Sequence, residues 1–186
     1  MVKTNIIGTM NVIEAAIISG VKNVVFLSSD KAYQPISPYG QSKALAESLI
    51  LNANNITGLD GPRFAATRYG NVSGSTGSVI PTWRAQKARG EKVIITDPDC
   101  TRYWMRPEEA VDLVWNTIDT MVGGELAIPE LPAYRLGDLA EAMEVETVEV
   151  GLPAHEKKHE SMQDGHCSEF ARRMPVWELR EELSHV

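Results

Sequence analysis

Val24-Val25-Phe26-Leu27-Ser28-Ser29-Asp30-Lys31 passes from four apolar residues directly into four polar ones. So short an apolar run, rich in β-branched and aromatic side chains, predicts a buried parallel strand over 23–29. Ligands gather at the carboxyl ends of such strands, which places Ser28, Ser29, Asp30 and Lys31 at the mouth of a site. Further on, Ser37 supplies a helix N-cap and Pro38 a preformed first helical residue, predicting a helix over 38–53. That helix sets Tyr39 and Lys43 one turn apart on one face. A lysine ammonium beside a phenol favours the phenolate, so the pair suits a general base. Taken alone, Tyr-x-x-x-Lys fits a solvated surface pair equally well.

Outward from this stretch the pattern alternates between helix and strand. Apolar residues at Ile6, Ile7, Met10, Ile13, Ile17 and Ile18 have the helical period over 4–19, and Gly20 stands as a stop. A turn over 58–62 leads to a strand over 64–69. The segment 70–81 is so rich in glycine and serine that it is expected to be a loop without regular structure, one whose amides suit close approach to a ligand. It is no phosphate-binding P-loop, because no Gly-Lys-Ser/Thr follows. A helix over 81–89, a strand over 93–96, an acid-capped helix from 107, a strand over 126–128, a helix over 136–143 and a strand over 148–150 complete the pattern. The polar tail after 162 ends in an amphipathic helix around Val176, Trp177, Leu179 and Leu183, with a role in packing or association.

At 186 residues, 43% apolar and 23% charged, the chain is long enough for one sizeable core and a small second lobe. Its net charge of -7 argues against nucleic acid as the main partner. There is no apolar run of membrane-spanning length and no signal peptide at the start, which points to a cytoplasmic protein without a membrane role. Cys100 and Cys167 are too few and too scattered for a disulfide framework or a thiolate metal site.

Strand, Ser28-Ser29, a short loop and Tyr39-x-x-x-Lys43 together resemble the extended, nucleotide-sugar-modifying branch of the short-chain dehydrogenase/reductases. Within it, Ser29-Asp30-Lys31-Ala32, Pro35 and Tyr39-Gly40-x-x-Lys43 are similar to the inverting UDP-N-acetylglucosamine 4,6-dehydratases of polysaccharide and flagellin-sugar biosynthesis. The likeness runs from about 2 to 162. It implies an α/β, partial Rossmann-like fold, a doubly wound parallel sheet lacking its first βαβ units, with a small C-terminal substrate-binding lobe. The expected division is 1–80 for the Rossmann-like part, 81–162 for the substrate lobe and remaining sheet elements, and 163–186 for the tail.

The resemblance also assigns roles. Ser29, Asp30, Lys31, Tyr39 and Lys43 are the catalytic group, and Asn5, Ser28, Tyr39, Lys43 and Tyr69 lie along NADP or NAD. Asn71, Gly77, Ser78, Arg102 and Glu156 face a UDP-sugar, with Arg102 as the diphosphate clamp, since a guanidinium fork donates two bonds at once. A nucleotide-sugar 4-epimerase and a non-catalytic remnant or interaction module of the same fold are the competing readings. The first is disfavoured by Asp30-Lys31, because epimerisation needs no acid/base pair at C5 and C6. His155-Glu156-Lys157-Lys158-His159 fits the His-Glu-x-x-His zinc pattern, but it follows Pro153, carries internal lysines and lacks a required third ligand, so no metal is expected. The likeness departs at Pro153 and His155, where relatives carry arginine and glycine.

Dinucleotide-binding folds hold the pyrophosphate on a Gly-x-x-Gly-x-x-Gly turn between a strand and a helix, and the 186 residues contain no such turn. NAD(P) binding is therefore expected to be weak. The strand at 24–29 is expected to have an open apolar edge, covered by a separately encoded N-terminal half, by a second copy or by a rearranged segment.

Overall fold

The computed structural model describes residues 1–58 and 60–186; Leu59, inside the turn expected over 58–62, lies outside the described residues. In chain order the first elements are α1 (Gly8–Ser19), β1 (Asn23–Leu27), α2 (Pro38–Asn52), α3 (Asn54–Thr57), β2 (Arg63–Thr67) and β3 (Asn71–Val72). Then come α4 (Val79–Ala88), β4 (Val93–Ile95), β5 (Thr101–Met105), α5 (Pro107–Thr120), β6 (Leu126–Ala127), β7 (Ala133–Arg135) and α6 (Leu136–Met143). The last are β8 (Thr147–Glu149), β9 (Ser161–Gln163), β10 (His166–Cys167) and α7 (Val176–Leu183). A π-helical turn, Val2–Ile7, leads into α1, and a 3₁₀ turn, Asp30–Ala32, follows β1.

Two compact units result, Met1–Tyr69 with Glu108–Glu130, and Gly70–Pro107 with Leu131–Val186. The chain leaves the first unit after Tyr69, returns to it from Glu108 to Glu130, and ends in the second.

The first unit is a parallel sheet of order β1-β2-β6. β1 and β2 pair in register from Asn23 with Arg63 to Leu27 with Thr67. Alternation along the strands turns Val24 and Phe26 of β1, and Phe64 and Ala66 of β2, to the face covered by Ile13 and Ala16 of α1 and Ile50 of α2. Gly20, at φ +65°, closes α1 with a left-handed cap whose N–H reaches the carbonyls of Ala16 and Ile17. β1 lies at the sheet edge; among the described residues only β2 pairs with it.

The second unit is built around Trp83, Trp104, Tyr134, Leu139, Met174 and Leu179. Trp104 and Tyr134 meet edge to face, their ring centroids 5.6 Å apart. Here the structure departs from the expected loop over 70–81. Val72 is β-branched and pairs in parallel with Met105, Asn71 pairs with Trp104, and α4 begins at Val79. β5 itself, all five residues buried, and its antiparallel partner β7 are likewise additions to the sequence-based pattern. The tail is part of this core: Leu179 is fully buried, and Arg84 donates to the carbonyls of Leu183 and Val186.

The approach of α2 to the 3₁₀ turn positions the site. Ser37 accepts the N–H of Gly40 at 3.1 Å, as its capping role requires. Gly40 packs so closely that a Cβ there would overlap the carbonyl oxygen of Lys31 and lie 3.1 Å from Pro35 Cβ. Replacing a helical glycine by alanine ordinarily gains up to about 1 kcal/mol. At Gly40 the backbone collision dominates. Gly40→Ala is predicted to destabilise the first unit by about 1–3 kcal/mol, read as a lower midpoint in urea unfolding; an unchanged or raised midpoint contradicts this packing.

Candidate active site

Three side chains at the carboxyl end of β1 form one hydrogen-bonded cluster. Ser29 Oγ donates to Asp30 Oδ1 at 2.9 Å and accepts the N–H of Lys31 at 3.2 Å. Lys31 Nζ donates to the same Asp30 Oδ1 at 3.1 Å. Asp30 is 1% exposed, whereas the Lys31 side chain is 36% exposed and can reach a ligand. The backbone N–H of Asp30 bonds to the carbonyl of Tyr69, fixing this turn against the end of β2. Asp30 Oδ2 and Ser28 Oγ are buried without a hydrogen-bond partner among the described residues. Buried polar atoms are nearly always satisfied, so these two oxygens have capacity for a hydrogen bond from water or a ligand.

α2 brings the second pair. Tyr39 is 42% exposed one turn before Lys43. Lys43 Nζ donates to the carbonyl of Leu27, the last residue of β1, and lies 4.4 Å from the centroid of the Phe26 ring. Burial pushes the Lys43 pKa below its ordinary value, and the Glu47 carboxylate opposes that shift. Asn5 donates to Ser42 Oγ at 2.9 Å, and Ser42 donates to the carbonyl of Tyr39 at 2.7 Å. Asn5 thus braces the backbone of the tyrosine through Ser42, a link that spacing alone does not reveal because Asn5 and Ser42 lie 37 residues apart. Tyr69 donates its hydroxyl to the carbonyl of Ala110 at 2.7 Å. Burial raises its pKa, with Thr67 as a smaller opposing influence, so the hydroxyl remains a donor.

The second unit carries a separate constellation. Arg102 is 6% exposed, and its Nη1 donates to the carbonyls of Thr101 and Lys158. Its Nη2 meets Glu156 Oε1 at 2.5 Å. The two border a cavity of about 250 Å³ that Asn71, Ser78, Trp83 and Thr96 also line. Asn71 and Ser78 extend into an adjoining cavity of about 40 Å³, where Asn71 Oδ1, Ser73 Oγ and Ser78 Oγ are buried without a hydrogen-bond partner among the described residues. Gly77, at φ +77°, makes the turn that starts α4 just after it. A guanidinium paired with a carboxylate borders the larger cavity and unpaired oxygens line the smaller one, so the region suits a polar, hydroxyl-rich ligand.

Within the His-Glu-x-x-His stretch, Glu156 is committed to Arg102 and His159 Nδ1 lies 2.8 Å from Thr101 Oγ1. Among the described residues no group of His, Cys, Asp and Glu could hold a metal ion. No described helix is long and apolar enough to cross a membrane. The pair that sequence reasoning passed over is Glu47 with Arg68, buried against each other. Its signal was the position of Glu47, one turn beyond Lys43 on the same stripe of α2.

Residues 1–175 match the family model described as polysaccharide biosynthesis protein. Over 164 residues the chain is 43% identical to a UDP-N-acetylglucosamine 4,6-dehydratase (inverting) of Campylobacter jejuni, a match covering 87% of this chain and 49% of that protein. The chain therefore spans about half the length of the curated relatives it matches. Among solved structures, Pen from Bacillus thuringiensis superposes with a TM-score of 0.92 at 32% identity, over 100% of this chain and 69% of that one. A dTDP-glucose 4,6-dehydratase from Streptomyces venezuelae with NAD and TYD bound shares the fold, with a TM-score of 0.80 at 18% identity over 98% of this chain and 65% of that one.

Arg102→Met removes the charge that Glu156 faces and the donors to two backbone carbonyls. It is predicted to destabilise the second unit by about 2–3 kcal/mol, measured by urea unfolding; a loss well under 1 kcal/mol would show that the buried guanidinium is not a structural anchor of the cavity.

Proposed function

We propose nucleotide-sugar 4,6-dehydratase chemistry on a UDP-N-acetylhexosamine for this chain, which belongs to the polysaccharide biosynthesis protein family. The observation that carries the reading is the Ser29-Asp30-Lys31 cluster, a carboxylate and an ammonium in hydrogen-bond contact at the end of a parallel strand. Removing water across C5 and C6 of a sugar needs one group to take a proton and another to give one. A single proton moved across the 3.1 Å contact turns the ion pair into an amine and a carboxylic acid, which is the pair this step requires.

Tyr39, with the Lys43 ammonium one turn away, takes the proton of the 4-hydroxyl, and Ser29 orients that hydroxyl. A dinucleotide held beside these residues would supply the hydride chemistry, taking the C4 hydrogen and giving it back at C6. Once C4 is a ketone its neighbouring C5 hydrogen is acidic, and the Lys31 amine removes it. Asp30 delivers its proton to the departing 6-hydroxyl, so that water leaves and a C5–C6 double bond forms. A proton from water, added to C5 on the face opposite Lys31, completes the 4-keto-6-deoxy sugar, and the proton kept by Lys31 resets the pair. In the second unit Arg102 serves the diphosphate, while Asn71, Gly77, Ser78 and Glu156 serve the rest of the sugar nucleotide.

The residues present fit one end of a dinucleotide. The Lys43 ammonium, the unpaired Ser28 hydroxyl, the Asn5 amide and the Tyr69 ring suit a nicotinamide riboside, and the 186 residues hold no glycine turn for the pyrophosphate. NAD or NADP is thus held weakly by these residues. The unpaired edge of β1 is the place for strand addition, by a glycine-bearing N-terminal half or by a second copy.

Incubated with UDP-N-acetylglucosamine and NAD(P) at millimolar concentration, the chain is predicted to form a 4-keto-6-deoxy sugar nucleotide detectable by mass spectrometry. Tyr39→Phe and Lys31→Ala each lower the rate by about 100-fold or more. Release of a C4 epimer instead, or equal rates in the two variants and the parent, contradicts the assignment; micromolar NAD(P) affinity by calorimetry contradicts the weak cradle.

A further inference from the structure

Glu47 and Arg68 take no part in the chemistry above, yet they are 6% and 9% exposed and fully engaged with each other. Arg68 Nε donates to Glu47 Oε2 at 2.9 Å and Nη2 to Oε1 at 2.5 Å. An ion pair withdrawn so far from water is a poor source of stability, because desolvation offsets most of the attraction. Its location is more informative. Tyr39, Lys43 and Glu47 follow one another at four-residue spacing, so they form one stripe along α2. Arg68 directly follows β2, with its N–H bonded to the carbonyl of Ala127 and its guanidinium 5.5 Å from the centroid of the Tyr33 ring. A planar fork held at both prongs fixes rotation as well as distance.

We propose that the Glu47–Arg68 pair is the positioning device of the Tyr39–Lys43 base. It locks the rotation of α2 that presents this stripe to the end of β1, and it holds a carboxylate one turn beyond the Lys43 ammonium. The inference rests on the reading of Tyr39 and Lys43 as the base pair. Burial lowers the Lys43 pKa and Glu47 works against that lowering, in keeping with such a charge. The other charged groups on elements packed against α2 are Lys3 in the π turn, Glu14 on α1, Asp30 and Lys31 in the 3₁₀ turn, and Arg63 on β2. Of these, Asp30 and Lys31 are paired with each other.

The test is the titration of the Lys43 side chain, followed by NMR in protein carrying isotope-labelled lysine and assigned by the signal lost in Lys43→Arg. Glu47→Gln is expected to move that titration downward by about half a unit or more. A purely structural pair lowers the unfolding midpoint in this variant and leaves the titration of the folded protein where it was, which overturns the proposal. Should Glu47→Gln fail to fold, Glu47→Asp, which draws the carboxylate back by one methylene, is expected to give a smaller downward shift, and an unshifted titration again overturns it. Neither measurement needs substrate or turnover, so the outcome is separable from any failure to observe dehydration.

Discussion

The close approach of the Gly40 backbone to the carbonyl of Lys31 is the constraint on which the first unit's chemistry depends. A side chain at position 40 would hold the start of α2 away from the 3₁₀ turn. With hydrogen there, the helix that carries Tyr39 and Lys43 begins against the turn that carries Asp30 and Lys31. Ser37 fixes where the helix starts, Pro38 fixes its first dihedral angle, and the Lys43 bond to the Leu27 carbonyl ties its second turn to β1. Four reactive groups from two elements are thereby tied to the strand and to the turn.

Charge is handled differently in the two units. In the first, the buried Asp30 carboxylate has one oxygen in a hydrogen-bonded cluster and the other unpaired, beside a lysine with access to solvent. The arrangement costs stability as it stands, which is usual where a site is prepared for a reactant. In the second, Arg102 is satisfied by two carbonyls and Glu156, so its charge is already shared with a carboxylate. In the smaller cavity nearby, oxygens of Asn71, Ser73 and Ser78 have no hydrogen-bond partner among the described residues.

Much of this was legible in the sequence because it is written in short-range chemistry. The strand at Asn23–Leu27, the capped helix from Pro38 and the cluster Ser29-Asp30-Lys31 each declare themselves within a few residues. The parallel sheet follows from alternation of helix and strand, and the family resemblance is matched by the family model over 1–175. What escaped depends on distant partners. β3 exists only because Asn71 and Val72 meet Trp104 and Met105, β5 is buried along its whole length by neighbours from elsewhere in the chain, and the Glu47–Arg68 pair joins positions 21 residues apart. The two units were obscured for the same reason, since α5 and β6 return to a unit that the chain leaves after Tyr69 and re-enters at Glu108.

The central claim is that Lys31 and Asp30 move protons at C5 and C6 of a sugar that Tyr39 has helped to oxidise at C4. Solvent isotope uptake reports on it directly. In heavy water with UDP-N-acetylglucosamine and NAD(P), the account predicts a 4-keto-6-deoxy product with one deuterium at C5. A product with only protium at C5, or a change confined to C4, would contradict it.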